Sequence, residues 1–159
     1  MSSGEVAARV AALLAARGGK VAVAESSAGG LVAARLLAQS GASAFFLGGA
    51  VVYTAAAREG LLGIAQADME GMRPSTEAYA GLLAGRARER LGADWGLAET
   101  GAAGPTGNRY GDPAGHACLA VSGLVTRART VRTGSADRAA NMEAFATAAL
   151  LLLEEALTG

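Results

Sequence analysis

The sequence predicts a three-layer α/β/α sandwich with a mixed sheet, built as one domain over residues 1–159. Three observations lead there. Helical and strand patterns alternate through the first two thirds of the chain, which favours parallel strands joined by crossover helices. Two strand-like runs then follow in succession, as a hairpin would. A long helical pattern closes the chain. The length of 159 residues suits a single core.

The elements follow in order. Gly4 to Arg17 reads as a helix, with Val6, Val10, Leu13 and Leu14 on one face and Gly18-Gly19 as the stop. Lys20 to Ala24 is an apolar run suited to a buried strand, and Leu31 to Gln39 is a second helix. Phe45 to Thr54 reads as a strand, kinked or closely approached at Gly48-Gly49. A short helix, Ala55 to Leu62, ends at Gly63. Ser75 or Thr76 can cap the next helix, with Glu77 in its first turn, and the helix runs to about Leu91. Trp95 to Ala98 is a third strand feeding a glycine-rich loop from Glu99 through Gly107 to Asp112-Pro113. Ala117 to Ser122 and Val125 to Thr133 form the late strands around Gly123, and Ala136 to Leu157 is the last helix.

Composition narrows the function. Fourteen Lys+Arg balance fourteen Asp+Glu, so no basic excess points to nucleic acid. Charged residues make up 18% against a usual value of roughly 25%, and 52% are hydrophobic, which excludes a disordered chain. That apolar excess implies covered surface, and the expectation is a homo-oligomer, most simply a dimer. Single residues of Cys118 and His116 exclude a disulfide framework and a multi-ligand metal centre. His116 reads as a structural histidine. Glu5 and Arg9 interrupt the N-terminus, and the longest apolar stretch, Ala144 to Leu153, is too short for a bilayer. No membrane association and a cytoplasmic location are expected.

Two segments could carry chemistry. Glu25-Ser26-Ser27-Ala28-Gly29-Gly30 joins a strand to a helix, where open N–H groups can hold a phosphate or an oxyanion. The plainer alternative is that the serines cap the helix and the glycines make its turn. The second segment is Thr100 to Gly107, also after a strand. It is either a phosphate- or ribose-wrapping loop or an ordinary surface loop. The common nucleotide and nucleophile motifs G-x-G-x-x-G, G-x-x-x-x-G-K and G-x-S-x-G are absent, and Lys20 is the sole lysine. These gaps argue against kinases, P-loop enzymes, Rossmann dehydrogenases and α/β-hydrolases.

Four stretches together resemble the CinA C-terminal domain family, of the nicotinamide-nucleotide amidohydrolase (PncC) type. They are AESSAGGLVAARL (Ala24 to Leu36), SAFFLGGAVVYT (Ser43 to Thr54), RERLGADWGLAETGAAGP (Arg88 to Pro105) and GDPAGHACLAV (Gly111 to Val121). The resemblance spans essentially the whole chain. It implies an α/β/α domain that hydrolyses the carboxamide of nicotinamide mononucleotide to nicotinate mononucleotide and ammonia, with no metal or cofactor. The family's nucleophilic serine matches Ser26, after a matching Glu25. Its Cys and Thr positions are Ser27 and Ala28. Its tyrosine matches Tyr53, and its threonine Thr100, followed by Gly101. Its lysine is Arg58 here. Its arginine in the last helix falls near Asn141 or Met142, with Arg138 the nearest substitute. On this carry-over Ser26, Tyr53, Arg58 and Thr100 are catalytic. Glu25, Ser27, Gly29, Gly30, Gly48, Gly49, Gly101 and Gly104 bind substrate, and N–H groups around Ser27 to Gly30 hold the oxyanion. Arginine cannot take the serine proton as lysine does. Either a weak or inactive deamidase or a non-catalytic nucleotide-binding paralogue is implied.

Overall fold

The computed structural model describes all residues, Met1 to Gly159. A five-stranded sheet has the order β2-β1-β3-β4-β5. Its strands are β1 (Val21–Glu25), β2 (Phe46–Val51), β3 (Trp95–Ala102), β4 (His116–Ser122) and β5 (Arg127–Arg132). The first three run parallel, and β4 and β5 are antiparallel additions. The helices are α1 (Ser3–Arg17), α2 (Leu31–Leu37), α3 (Ala55–Leu62), α4 (Glu77–Leu91) and α5 (Arg138–Thr158). The expected single domain, three layers and mixed sheet are all present.

Alternation along the strands sorts the core into two halves. Val21, Val23, Leu97, Leu119 and Val121 face α1, α2 and α5. Ala22, Ala24, Ala98, Cys118 and Ala120 face α3 and α4. The second face is made of small side chains, so α4 lies very close to the sheet. Gly96 shows how close: a Cβ there would sit 2.0 Å from the Ala84 carbonyl oxygen. Close packing of this kind leaves no slack for an added methyl group.

Two strand boundaries need correction, and the choice of cap for α4 is resolved. The third strand does not stop at Ala98. It continues to Ala102 because β4 supplies an antiparallel partner as far as His116, opposite Ala102. Glu99, Thr100 and Gly101 are therefore strand residues, and the irregular loop begins at Ala103. Thr76, not Ser75, caps α4, accepting from the Tyr79 N–H; Ser75 is held at φ 61° one residue before it. The last strand starts at Arg127, two residues later than its composition indicates. The Gly48-Gly49 expectation holds in its structural sense. The register with β1 shifts just before Gly48, and Cβ atoms at these glycines would meet Leu91 at 3.1 Å and Ala33 at 3.4 Å.

Gly96→Ala is expected to lower stability by about 2–3 kcal/mol, since backbone of α4 would have to move. Urea denaturation of the two proteins measures this, and an unchanged midpoint would contradict the packing described.

Candidate functional site

β1 and β3 are neighbours at the sheet centre, with Ala24 opposite Ala98. The next residues, Glu25 at the end of β1 and Glu99 within β3, therefore place two carboxylates side by side, both essentially fully buried. Each is satisfied by the connection from β1 to α2. Glu25 accepts the N–H groups of Gly30 (3.1 Å), Val32 (3.0 Å) and Ala33 (2.9 Å). Glu99 accepts those of Ser26 (3.0 Å) and Ala28 (2.8 Å), and Ser27 Oγ donates to its second oxygen. Burial pushes both carboxyls upward, against these hydrogen bonds, and Glu99 reaches about 7.

These bonds correct one sequence expectation. The Ala28 and Gly30 N–H groups are occupied by the two carboxylates, and the Gly29 N–H donates to the Ser26 carbonyl. Of the groups expected from Ser27 to Gly30, these three are not open donors for an oxyanion. Gly29 and Gly30 adopt φ of 67° and 103°, so they serve the turn into α2. Gly48 and Gly49 lie within β2, opposite Ala22 and Val23, in a hollow with Leu61, Arg90 and Leu91 rather than beside Ser26.

The remaining candidates do converge. A cleft of about 440 Å³ beyond the carboxyl ends of β1 and β3 is bordered by Ser26, Tyr53, Arg58, Thr100 and Gly101. This is the position at which open α/β sheets bind ligands. Thr100 Oγ1 accepts the Ser75 N–H at 3.1 Å. A Cβ at Gly101 would lie 2.4 Å from the His116 carbonyl oxygen, so glycine is needed for β3 to pair with β4. Arg58, carried by α3, lies over the Tyr79 ring at 5.7 Å.

A second cleft of about 260 Å³ adjoins the first, sharing Tyr53, Gly101 and Asn108 with it. Ser27, Gly104 and Arg138 border it. Arg138 donates to the Gly104 carbonyl and to the Tyr53 hydroxyl (3.2 Å). Of the positions matched to the family arginine, Arg138 alone reaches the clefts. Asn141 is buried, tying Ala103 and Ser135 carbonyls and the Thr133 hydroxyl together, and Met142 packs beside Gly29.

Several site residues escaped sequence reasoning. Asn108, Arg109 and Tyr110 border the first cleft on a loop anchored by Asp112. The Arg73 guanidinium donates to Asp112 at 2.9 Å and holds that carboxyl below the usual carboxylate range. Arg73 and Arg109 both stack on Tyr110, at 5.0 and 5.1 Å. Only the folded loop brings these groups back to β1. Glu99 did leave a sequence signal: β1 and β3 both carry Ala-Glu followed by a hydroxyl residue, Ala24-Glu25-Ser26 and Ala98-Glu99-Thr100.

No conventional base stands free at Ser26. His116 Nε2 donates to the Ser75 carbonyl at 2.9 Å, and its Nδ1 accepts from Arg132 at 3.1 Å, so both ring nitrogens are engaged. Lys20 is at the opposite end of β1, donating to the Ala44 carbonyl.

The raised Glu99 carboxyl predicts a pH effect on stability. The ordinary value is 4.5 and the folded value about 7, so the folded state holds this proton more tightly. Its contribution to stability is complete below about 4.5 and is lost as pH rises through about 7. The loss is on the order of 3 kcal/mol. Urea denaturation from pH 4.5 to 8 should show it in the unaltered chain relative to Glu99→Gln, which lacks the titration. Parallel curves for the two proteins would contradict it.

Comparison with known proteins agrees with this architecture. The family model described as CinA C-terminal domain matches residues 3–157. A CinA-like protein of Mycolicibacterium vanbaalenii is 39% identical over 155 residues, covering 95% of this chain and 36% of the relative. A CinA-like protein of Anaeromyxobacter dehalogenans is 42% identical over 147 residues, covering 91% and 36%. The chain thus spans about a third of the length of these relatives. Among solved structures, a competence-damaged protein (CinA) superfamily protein from Klebsiella pneumoniae superposes with a TM-score of 0.92 at 30% identity, covering 99% of both chains. A competence/damage inducible protein from Agrobacterium tumefaciens gives 0.89 at 30% identity, covering 99% of this chain and 96% of the other. With its family model matched from end to end and its fold reproduced, the chain belongs to the CinA C-terminal domain family.

Proposed function

We propose that this chain binds nicotinamide mononucleotide and hydrolyses its carboxamide, slowly, to nicotinate mononucleotide and ammonia. The observation that carries the reading is the cleft at Ser26 and Thr100. It is ringed by all three tyrosines of the chain, Tyr53, Tyr79 and Tyr110, together with Arg58 and Arg109. Aromatic rings suit a pyridine base, and guanidinium groups suit a phosphate. Ser26 at the cleft wall is the nucleophile in this reading. Tyr53 and Thr100 orient the substrate. Arg58 stabilises developing negative charge, because the buried carboxylates have taken the Ser26, Ala28 and Gly30 N–H groups.

The slowness follows from Arg58. A guanidinium stays protonated throughout the pH range in which proteins work, so it cannot accept the Ser26 proton. General-base catalysis is worth roughly 10²–10⁴-fold. A non-catalytic nucleotide-binding or regulatory role is the second reading, and the same absence of a lysine favours it.

Ammonia release and calorimetric binding, measured on one preparation, test the proposal. The unaltered chain is expected to bind nicotinamide mononucleotide with little turnover, and Arg58→Lys to raise turnover by at least about tenfold. Binding with no turnover in either protein would favour the second reading. Absence of binding would overturn both. Robust turnover by the unaltered chain, abolished in Ser26→Ala, would show that Arg58 is no impediment.

For assembly we propose a homodimer. β2 is an edge strand, and it exposes Leu47 and Val51, with Leu37 and Leu61 also exposed on flanking helices. Light scattering at micromolar concentration should return about twice the chain mass; a monomer mass would refute it.

A further inference from the structure

Of the serines at the end of β1, Ser26 meets Glu99 only through its main-chain N–H. Ser27 meets the same carboxylate through its hydroxyl, which donates directly to Glu99 Oε2. A hydroxyl held on a carboxylate oxygen is the arrangement of an activated nucleophile with its base. We propose that Ser27 and Glu99 form a second nucleophile–base pair, in which Ser27 attacks an acyl carbonyl bound in the second cleft, the one bordered by Ser27, Gly101 and Arg138.

The surroundings supply what such a pair needs. Glu99 Oε1 is fixed by the Ser26 and Ala28 N–H groups, which leaves Oε2 aimed at the Ser27 hydroxyl. Ser27 is 5% exposed, and it borders the second cleft together with Gly101, Gly104 and Arg138. Arg138 is held at that rim by the Gly104 carbonyl and the Tyr53 hydroxyl, which puts a positive charge on the wall of the same cleft. Burial lifts the Glu99 carboxyl to about 7, which makes it a far better proton acceptor near neutrality than an exposed carboxylate. Arg58 takes no part in this pair.

With a carboxamide as substrate, the Ser27 proton passes to Glu99 Oε2 as Oγ bonds to the carbonyl carbon. The C–N bond then breaks, and Glu99 returns the proton to the departing nitrogen, which leaves as ammonia. Water adds to the resulting ester, Glu99 accepts its proton, and the Ser27 Oγ–C bond breaks as that proton returns to Oγ. The sum is amide plus water giving carboxylic acid plus ammonia. The choice of a carboxamide rests on the reading under Proposed function; the activated serine does not.

The test uses the unaltered chain and an alkyl fluorophosphonate. Serine attack forms an O–P bond and releases fluoride, and the proton goes to Glu99 and then to solvent. Fragment mass spectrometry identifies the modified residue. The expected result is a label on Ser27, none in Ser27→Ala, and labelling slowed at least about 100-fold in Glu99→Gln. Thermal melting of both variants checks that they fold, and the position of the label in the unaltered chain decides even if they do not. A label on Ser26, or none at all, overturns the pair. Ammonia release from nicotinamide mononucleotide separates the two proposals. A label on Ser27 without ammonia release leaves the pair standing and removes the nucleotide substrate. Ammonia release undiminished in a folded Ser27→Ala overturns the pair as the catalytic route.

Discussion

Two buried carboxylates on adjacent parallel strands organise the functional end of this molecule. Parallel strands paired in register carry their side chains in step, so Glu25 at the end of β1 and Glu99 within β3 arrive together at the sheet centre. Ionised groups there are costly unless donors surround them. The chain meets that cost with five main-chain N–H groups and one hydroxyl, all from the single stretch between Ser26 and Ala33. The path of the connection, the entry into α2 and the placement of Ser26 and Ser27 all follow from this arrangement. It also explains why the Ser26, Ala28 and Gly30 N–H groups are closed to an outside anion: they already serve carboxylates of the protein's own.

Small side chains supply the second constraint. With Ala22, Ala24, Gly96 and Ala98 on one sheet face, α4 approaches until Ala84 nearly touches β3. The N-terminus of α4 is drawn in with it, bringing Ser75 under Thr100 and His116. The same approach sets Tyr79 beneath Arg58. A chain with few aromatic residues thus gathers its tyrosines at one cleft while aliphatic packing builds the rest of the core.

Charge completes the picture. The molecule is formally neutral, yet Arg58 and Arg109 meet at one cleft and Arg138 at the next. Asp112, buried under Arg73 and Asn108, anchors the loop that carries Arg109 and Tyr110. Net composition hides such a local excess, because it counts carboxylates that pair elsewhere. Glu154 and Glu155 on α5 pair with Arg9 and Arg129.

The sequence by itself determined the layer order, nearly every element, and the placing of Ser26 and Thr100 near the carboxyl ends of strands. Period, glycine stops and strand-end motifs are local signals, whereas the pairing of β1 with β3 brings the two residues to one cleft. Tertiary structure decided the rest. The third strand runs on through Glu99 to Ala102 only because β4 lies alongside to accept its hydrogen bonds. The N–H groups from Ala28 to Gly30 look open in a linear reading, and are taken by acceptors that fold in above them, two of the three by the paired carboxylates. Gly48 and Gly49, grouped with the site by resemblance, turn out to make room for Leu91 and Ala33. Ser27 and Glu99 stand 72 positions apart in the chain. No periodicity connects them, and their contact exists because β1 and β3 pair in register.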